Sequence, residues 1–177
     1  LGNGKDRMGG SVFSRNELME NCPITSNNDI LNTFKLIQEL IKDKIIVSGH
    51  DKSDGGLITT LCEMAFAGNK GLTIVLPDKI NNNTNLNEFM FNEELGLVIE
   101  CSKKYEKKII DLFSFCYIYA TTIARITNNN CIMILSNNKM YLNKKCSELR
   151  EIWESISRKC EYSQMMKECV NEEYFMY

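Results

Sequence analysis

The chain has 177 residues, 44% of them hydrophobic and 25% charged, an ordinary globular composition and enough length for one domain with a real core. A formal net charge of -2 and a pI near 5.6 provide no broad positive field, which argues against nucleic-acid binding through phosphate neutralisation. Leu112 to Ala124, as long an uncharged stretch as any in the chain, has about 13 residues against the roughly 20 that a spanning helix needs, which argues against a membrane segment.

Along the chain, the glycine-rich opening from Leu1 to Gly10 follows no apolar element, so the sequence is expected to begin inside a domain. After the short apolar run Ser11 to Phe13, a loop from Asn21 to Asn28 leads to Asp29, a helix cap by residue type. Ile30, Phe34, Ile37 and Ile41 then recur at helical spacing and predict one buried face. Lys44 to Ser48 reads as a short buried strand that feeds the turn His50 to Gly56. Leu57, Leu61, Met64 and Ala65 line the helix beyond it, which stops at Gly68.

Leu72 to Leu76 predicts a strand, Asn81 to Asn87 a polar loop of biased composition, and Phe89 to Leu95 a helix. Gly96 to Cys101 reads as extended, and Lys103 to Phe115 as a helix burying Ile109, Ile110, Leu112 and Phe113. Tyr117 to Thr127 is rich in β-branched and aromatic residues and predicts a strand. Cys131 to Leu135 and Lys139 to Leu142 flank Ser136-Asn137-Asn138, a hairpin signal because asparagine tolerates positive φ. Ser147 opens a last helix through Leu149, Ile152, Trp153 and Ile156, and Glu161 to Tyr177, lacking a clear period, reads as a linker or docking tail. The expected fold is α+β, with helices on one mixed sheet of the Ile45, Leu72, Val98, Ile118 and Ile132 segments.

Eight cysteines without a signal-peptide pattern point to reduced thiols in a cytoplasmic setting. Cys101, Cys116, Cys131 and Cys146 recur every fifteen residues, yet their neighbours share nothing. There is no Cys-x-x-Cys pair and a single histidine, so buried, inert thiols are expected rather than a zinc site. The opening Gly2-Asn3-Gly4-Lys5 lacks the spacing of a phosphate loop and follows no strand.

The chemistry concentrates in Asp51-Lys52-Ser53-Asp54-Gly55-Gly56, between a strand and a helix. Such a turn places backbone N–H groups, two carboxylates and a hydroxyl together, and anions bind at helix starts. Gly55 and Gly56 allow close approach, and Asp51 and Asp54 offer the hard oxygens that Mg²⁺ takes beside phosphate. The competing reading is plain: Ser and Asp at a helix start are ordinary N-caps. His50, similarly, reads as a base, a ligand, or a side chain bonded to a neighbouring backbone or carboxylate group.

The run Gly49-His50-Asp51-Lys52-Ser53-Asp54-Gly55-Gly56-Leu57, continuing to Asn69, resembles the second synthetase half of large, single-chain phosphoribosylformylglycinamidine synthases. Leu1-Gly2 through Met8-Gly9-Gly10-Ser11, Phe91-Asn92-Glu93-Glu94-Leu95-Gly96, and Leu149-Arg150 with Trp153-Glu154 resemble the same family in the same order. The resemblance implies a C-terminal subdomain like that of aminoimidazole ribonucleotide synthetase over residues 1–146, with 147–177 leading toward a glutaminase domain. It implies a ligase of purine synthesis that converts formylglycinamide ribonucleotide, ATP and glutamine to formylglycinamidine ribonucleotide, with ATP and Mg²⁺ bound. Carried over by position, Asp51 is a Mg²⁺ ligand, Ser53 a nucleotide contact, and Asp54, Gly55 and Gly56 shape the nucleotide turn. No catalytic residue is assigned, and the chain alone is expected to be inactive without its partner synthetase subdomains and glutaminase. Lys52 stands where arginine is frequent in the family, keeping charge but losing the bidentate fork. Two alternatives stay open: a non-catalytic scaffold whose nucleotide site is auxiliary or vacant, and another ATP enzyme of the superfamily, such as a hydrogenase-maturation protein.

Overall fold

A computed structural model describes residues 1–2, 4–14, 21–77, 83–136 and 139–175. Helix α1, Asn27–Lys42, starts one turn earlier than Asp29 predicts: Ser26 caps it, its hydroxyl accepting from the Asn28 N–H at 3.2 Å. Its buried face also differs. Thr33 and Leu40 are buried, with Leu36 and Ile37 packed beside them, whereas Ile30, Phe34 and Ile41 face solvent. Both sets follow the helical period, so spacing alone does not select which of the two apolar faces meets the core.

Strand β1, Ile46–Lys52, runs through His50, Asp51 and Lys52, so the predicted seven-residue turn shrinks to Ser53–Gly55 before α2, Gly56–Gly68. The end of α2 falls at Gly68 as expected, followed by left-handed Asn69 at φ 48°. After β2, Gly71–Val75, helix α3 spans Asn83–Phe91, where a polar loop was expected over Asn83 to Asn87. It stops well before Leu95 because the Asn92 side chain donates to the carbonyls of Glu88 at 2.6 Å and Phe89 at 3.1 Å, closing the last turn. Asn81 and Asn82 lie outside the described residues.

Strand β3, Gly96–Cys101, pairs antiparallel with β1, and a 3₁₀ turn at Lys103–Tyr105 leads into α4, Glu106–Phe115. The Ile118 segment is not a strand. Tyr117 adopts φ 59°, and the Tyr117 and Ile118 N–H groups return to the carbonyls of Ser114 and Phe113 at 2.9 Å each. That is a helix-closing motif with Ile118 as its apolar contact, which delays β4 to Ala124–Thr127. Strands β5, Cys131–Ser136, and β6, Lys139–Lys145, pair antiparallel with Ser136 opposite Lys139; Asn137 and Asn138, the expected turn residues, lie outside the described residues. Helix α5 runs from Cys146 to Gln164, and α6, Lys167–Phe175, replaces the expected irregular tail, with Val170 buried.

The class is α+β, but the strands form two sheets rather than one. β1 and β3 make a two-stranded ribbon, and a mixed sheet has the order β4-β2-β5-β6, with only the β2–β5 pair parallel. Each sheet has its own core. Leu57, Leu61, Phe66, Ile74 and Ile132 centre one; Leu40, Ile45, Ile109, Phe113 and Ile118 centre the other. Of the cysteines only Cys146 is buried, and Cys22, Cys160 and Cys169 are exposed, so the expectation of buried thiols fails for those three. Cys62 is half-buried, and loss of solvent pushes its thiol up to about 12. Among the described residues no helix is long and apolar enough to cross a membrane.

Candidate functional site

The turn between β1 and α2 has a packed back and an open front. At the back, Gly56 adopts φ +71°, and a Cβ there would lie 2.7 Å from the Phe91 carbonyl carbon and 2.8 Å from the Asn92 oxygen. The start of α2 therefore presses directly on the backbone at the end of α3, a contact that only glycine allows. The Gly55 N–H, one of the donors expected to meet an anion, is already bound by the Glu93 carboxylate at 2.9 Å. The same Glu93 oxygen accepts from the Val12 N–H at 2.9 Å. One internal carboxylate thus takes part of the helix-start anion position and ties the opening segment to the turn.

Deeper lies an ionic cluster that reasoning from residue types missed. Glu94, 2% exposed, pairs with the Arg7 guanidinium, which bonds both carboxylate oxygens, Nη2 to Oε2 at 2.9 Å. The hydrogen bond to Glu94 holds the Arg7 pKa above its ordinary value. Gly2 leaves room for this pair: a Cβ there would meet the Glu94 carboxylate and push it from its place. Next to it Lys52 Nζ donates to Asn92 Oδ1 at 2.5 Å, and Asn92 Nδ2 donates to Asp6 Oδ1 at 3.3 Å. Burial lowers the Lys52 pKa to about 8, against the pull of Glu94, Asp6 and Glu93.

At the front, the side chains of Asp51, Ser53 and Asp54 are exposed. The Asp51 carboxylate is 67% exposed and 3.4 Å from His50 Nδ1. That nitrogen sits 2.7 Å from the Asp51 carbonyl oxygen, and His50 Nε2 lies 3.3 Å from the Glu63 carboxylate. Glu63 also accepts from Trp153 Nε1 at 3.1 Å, and Trp153 rests on Phe66 at 6.0 Å between ring centroids. His50 thus takes the neighbour-bonded reading, linking β1 to α2 and, through Glu63, to α5.

Placed together, the sequence-predicted residues divide. Asp51, Ser53 and Asp54 are each exposed, while Gly56 is buried and Gly55 half-buried in the turn. Among the described residues no group of three or more His, Cys, Asp or Glu side chains is arranged to hold a metal ion. The turn therefore offers a partial donor set of exposed carboxylates. That suits Mg²⁺, which is commonly held by one or two carboxylates together with phosphate oxygens and water, and it does not form a cage.

The four segments singled out by resemblance converge here. The opening brings Gly2 and Arg7, the turn brings Lys52 to Gly56, the third brings Asn92 to Glu94, and the last brings Trp153. The profile of the family described as "AIR synthase related protein, C-terminal domain" matches residues 1–134. The chain belongs to that family. It is also homologous to phosphoribosylformylglycinamidine synthases: it is 36% identical over 176 residues to the probable chloroplastic/mitochondrial enzyme of Arabidopsis thaliana, covering 98% of this chain and 12% of that protein. Thermotoga maritima PurL complexed with FGAR shares the fold, with TM-score 0.64 and 12% identity over 83% of this chain and 24% of that one. The same protein complexed with ATP gives 0.59 and 12% identity over 67% and 21%. The chain spans 12 to 13% of the length of the curated relatives it matches.

Proposed function

We propose that this chain is a subdomain of the ATP-dependent ligase that makes formylglycinamidine ribonucleotide from formylglycinamide ribonucleotide, ATP and glutamine, and that its open turn completes a Mg²⁺–nucleotide site. The observation that carries the reading is the two-sided turn. Its back is fixed by Gly56 against Phe91–Asn92 and by Glu93 on Gly55, while Asp51, Ser53 and Asp54 are each exposed to solvent. Asp51 would hold the metal, and the Ser53 hydroxyl would donate to a phosphate oxygen, with Asp54, Gly55 and Gly56 setting the turn. Mg²⁺, when bound, neutralises phosphate charge. Fixing the backbone in advance lowers the ordering cost of binding, because little has to move when the ligand arrives.

A specific observation favours a second reading, that of a scaffold whose nucleotide site is auxiliary or vacant. Glu93 already satisfies the Gly55 N–H, so the helix start has less to offer a phosphate than an unoccupied one. The two readings separate in a polypeptide that joins residues 1–177 to the remaining synthetase and glutaminase regions. The ligase reading expects Asp51→Ala with Ser53→Ala to raise the KM for Mg·ATP by about tenfold or more in glutamine-dependent turnover. Unchanged kinetics with lowered stability would leave the scaffold reading standing alone.

A further inference from the structure

Each residue from Phe91 to Glu94 meets the opening segment of the chain. The Phe91 ring stacks on Phe13 at 4.7 Å between centroids, Asn92 donates to Asp6, the Glu93 carboxylate accepts from the Val12 N–H, and Glu94 pairs with Arg7. The same strip meets the region around the β1–α2 turn. Phe91 and Asn92 lie against Gly56, Lys52 donates to Asn92, and the Gly55 N–H donates to Glu93.

Among the described residues Glu93 alone of the four hydrogen-bonds both the opening segment and the Ser53–Gly56 turn. A single oxygen, Oε1, accepts the Val12 N–H and the Gly55 N–H, each at 2.9 Å. Bonds to an ionised acceptor are about twice as strong as neutral ones, so this oxygen holds both backbones firmly. The peptide it holds in the turn is the one joining Asp54 to Gly55. Gly55 and Gly56 adopt φ +85° and +71°, and glycine has more backbone freedom than any other residue. The shape of the turn therefore depends on bonds from outside it.

We propose that Glu93 is a positioning residue for the Mg²⁺–nucleotide site, carrying the placement of the opening segment to the turn through its shared oxygen. This rests on the reading of the turn as a nucleotide site. It also gives the Glu93–Gly55 bond a role opposite to simple occupation of the anion position. A carboxylate that only occupied that position would repel phosphate, and its removal would strengthen nucleotide binding. A positioning carboxylate fixes the peptide before the ligand arrives, and its removal weakens binding.

The test uses a polypeptide that joins residues 1–177 to synthetase and glutaminase regions of the kind the proposed function requires. The KM for Mg·ATP and kcat per folded molecule are measured on three variants. Glu93→Ala removes the acceptor, and Glu93→Gln keeps an acceptor oxygen without the charge. Val12→Pro removes one donor at the second position of the turn Ser11–Ser14, where proline is favoured. Positioning predicts that Glu93→Ala raises the KM about fivefold or more with kcat unchanged, and that Glu93→Gln stays within about twofold of wild type. Val12→Pro should raise the KM as well, although Val12 is exposed and lies outside the turn. A lowered KM in Glu93→Ala, an equal rise in Glu93→Gln, or a KM unmoved by Glu93→Ala or by Val12→Pro overturns the proposal. If Glu93→Ala does not fold, Val12→Pro carries the same test. Asp51→Ala with Ser53→Ala is measured beside them. A rise there without one in Glu93→Ala leaves the nucleotide site standing and removes only the positioning role, whereas no rise there removes the nucleotide reading and the positioning role with it.

Discussion

The two sides of the β1–α2 turn use the same residue types in opposite ways. Behind the turn, Glu94 and Arg7 are locked together, Lys52 is sheltered against Asn92, and Glu93 closes a backbone donor. In front, Asp51 and Asp54 keep exposed carboxylates. A buried carboxylate is stable only with its charge partner, so the back of the turn is committed to holding the fold. An exposed carboxylate costs little to leave unpaired, so the front can be reserved for a ligand.

The contrast breaks first at Glu94. Glu94→Ala leaves the Arg7 guanidinium without its carboxylate, and the melting temperature should fall by about 10 °C in a calorimetric scan. A fall of a degree or two would show that the buried pair carries little. Gly56→Ala comes next: it combines a strained φ with a Cβ against the Phe91–Asn92 backbone. It should cost about 3 kcal/mol in urea unfolding, and a neutral result would mean that the α2 start is not pressed on that segment.

Lys52 sharpens the comparison through pH. Below about pH 8 the folded and unfolded chains both carry its proton, and the folded chain bears the full cost of the sheltered charge. Between about 8 and the ordinary 10.5 the unfolded chain keeps the proton that the folded chain has released. Stability therefore rises with pH across that window and is lost again as pH falls through about 8, by about 3 kcal/mol in all. The readout is the difference in urea stability between wild type and Lys52→Met; a difference that stays flat from pH 7 to 10.5 contradicts the sheltered position. The smallest effect is expected at the front, where Asp51→Ala and Asp54→Ala should leave the urea midpoint within experimental error of wild type.

How much of this was legible in the sequence follows the same division between local and distant causes. The α2 boundaries and the β5–β6 pairing were readable, because spacing, glycines and asparagines encode them within a few positions. The end of α3 at Asn92 and the closure of α4 by Tyr117 and Ile118 depended on side-chain and backbone bonds that residue periodicity does not carry. The Arg7–Glu94 pair spans 87 positions, and no local pattern announces it. Its only signal was indirect: both residues sit in segments that resembled the same family. The division into two sheets was equally hidden, since strand segments of the right length do not say which edges meet.

The account rests on the front of the turn serving ligand and the back serving fold, and one paired experiment tests it most directly. Asp51→Asn and Glu94→Gln are each introduced into a polypeptide that joins residues 1–177 to synthetase and glutaminase regions of the kind the proposed function requires, and the KM for Mg·ATP and the melting temperature are measured on both. The account predicts that Asp51→Asn raises the KM with an unchanged melting temperature, and that Glu94→Gln lowers the melting temperature with an unchanged KM per folded molecule. The reverse pattern, or a KM indifferent to Asp51, would contradict it.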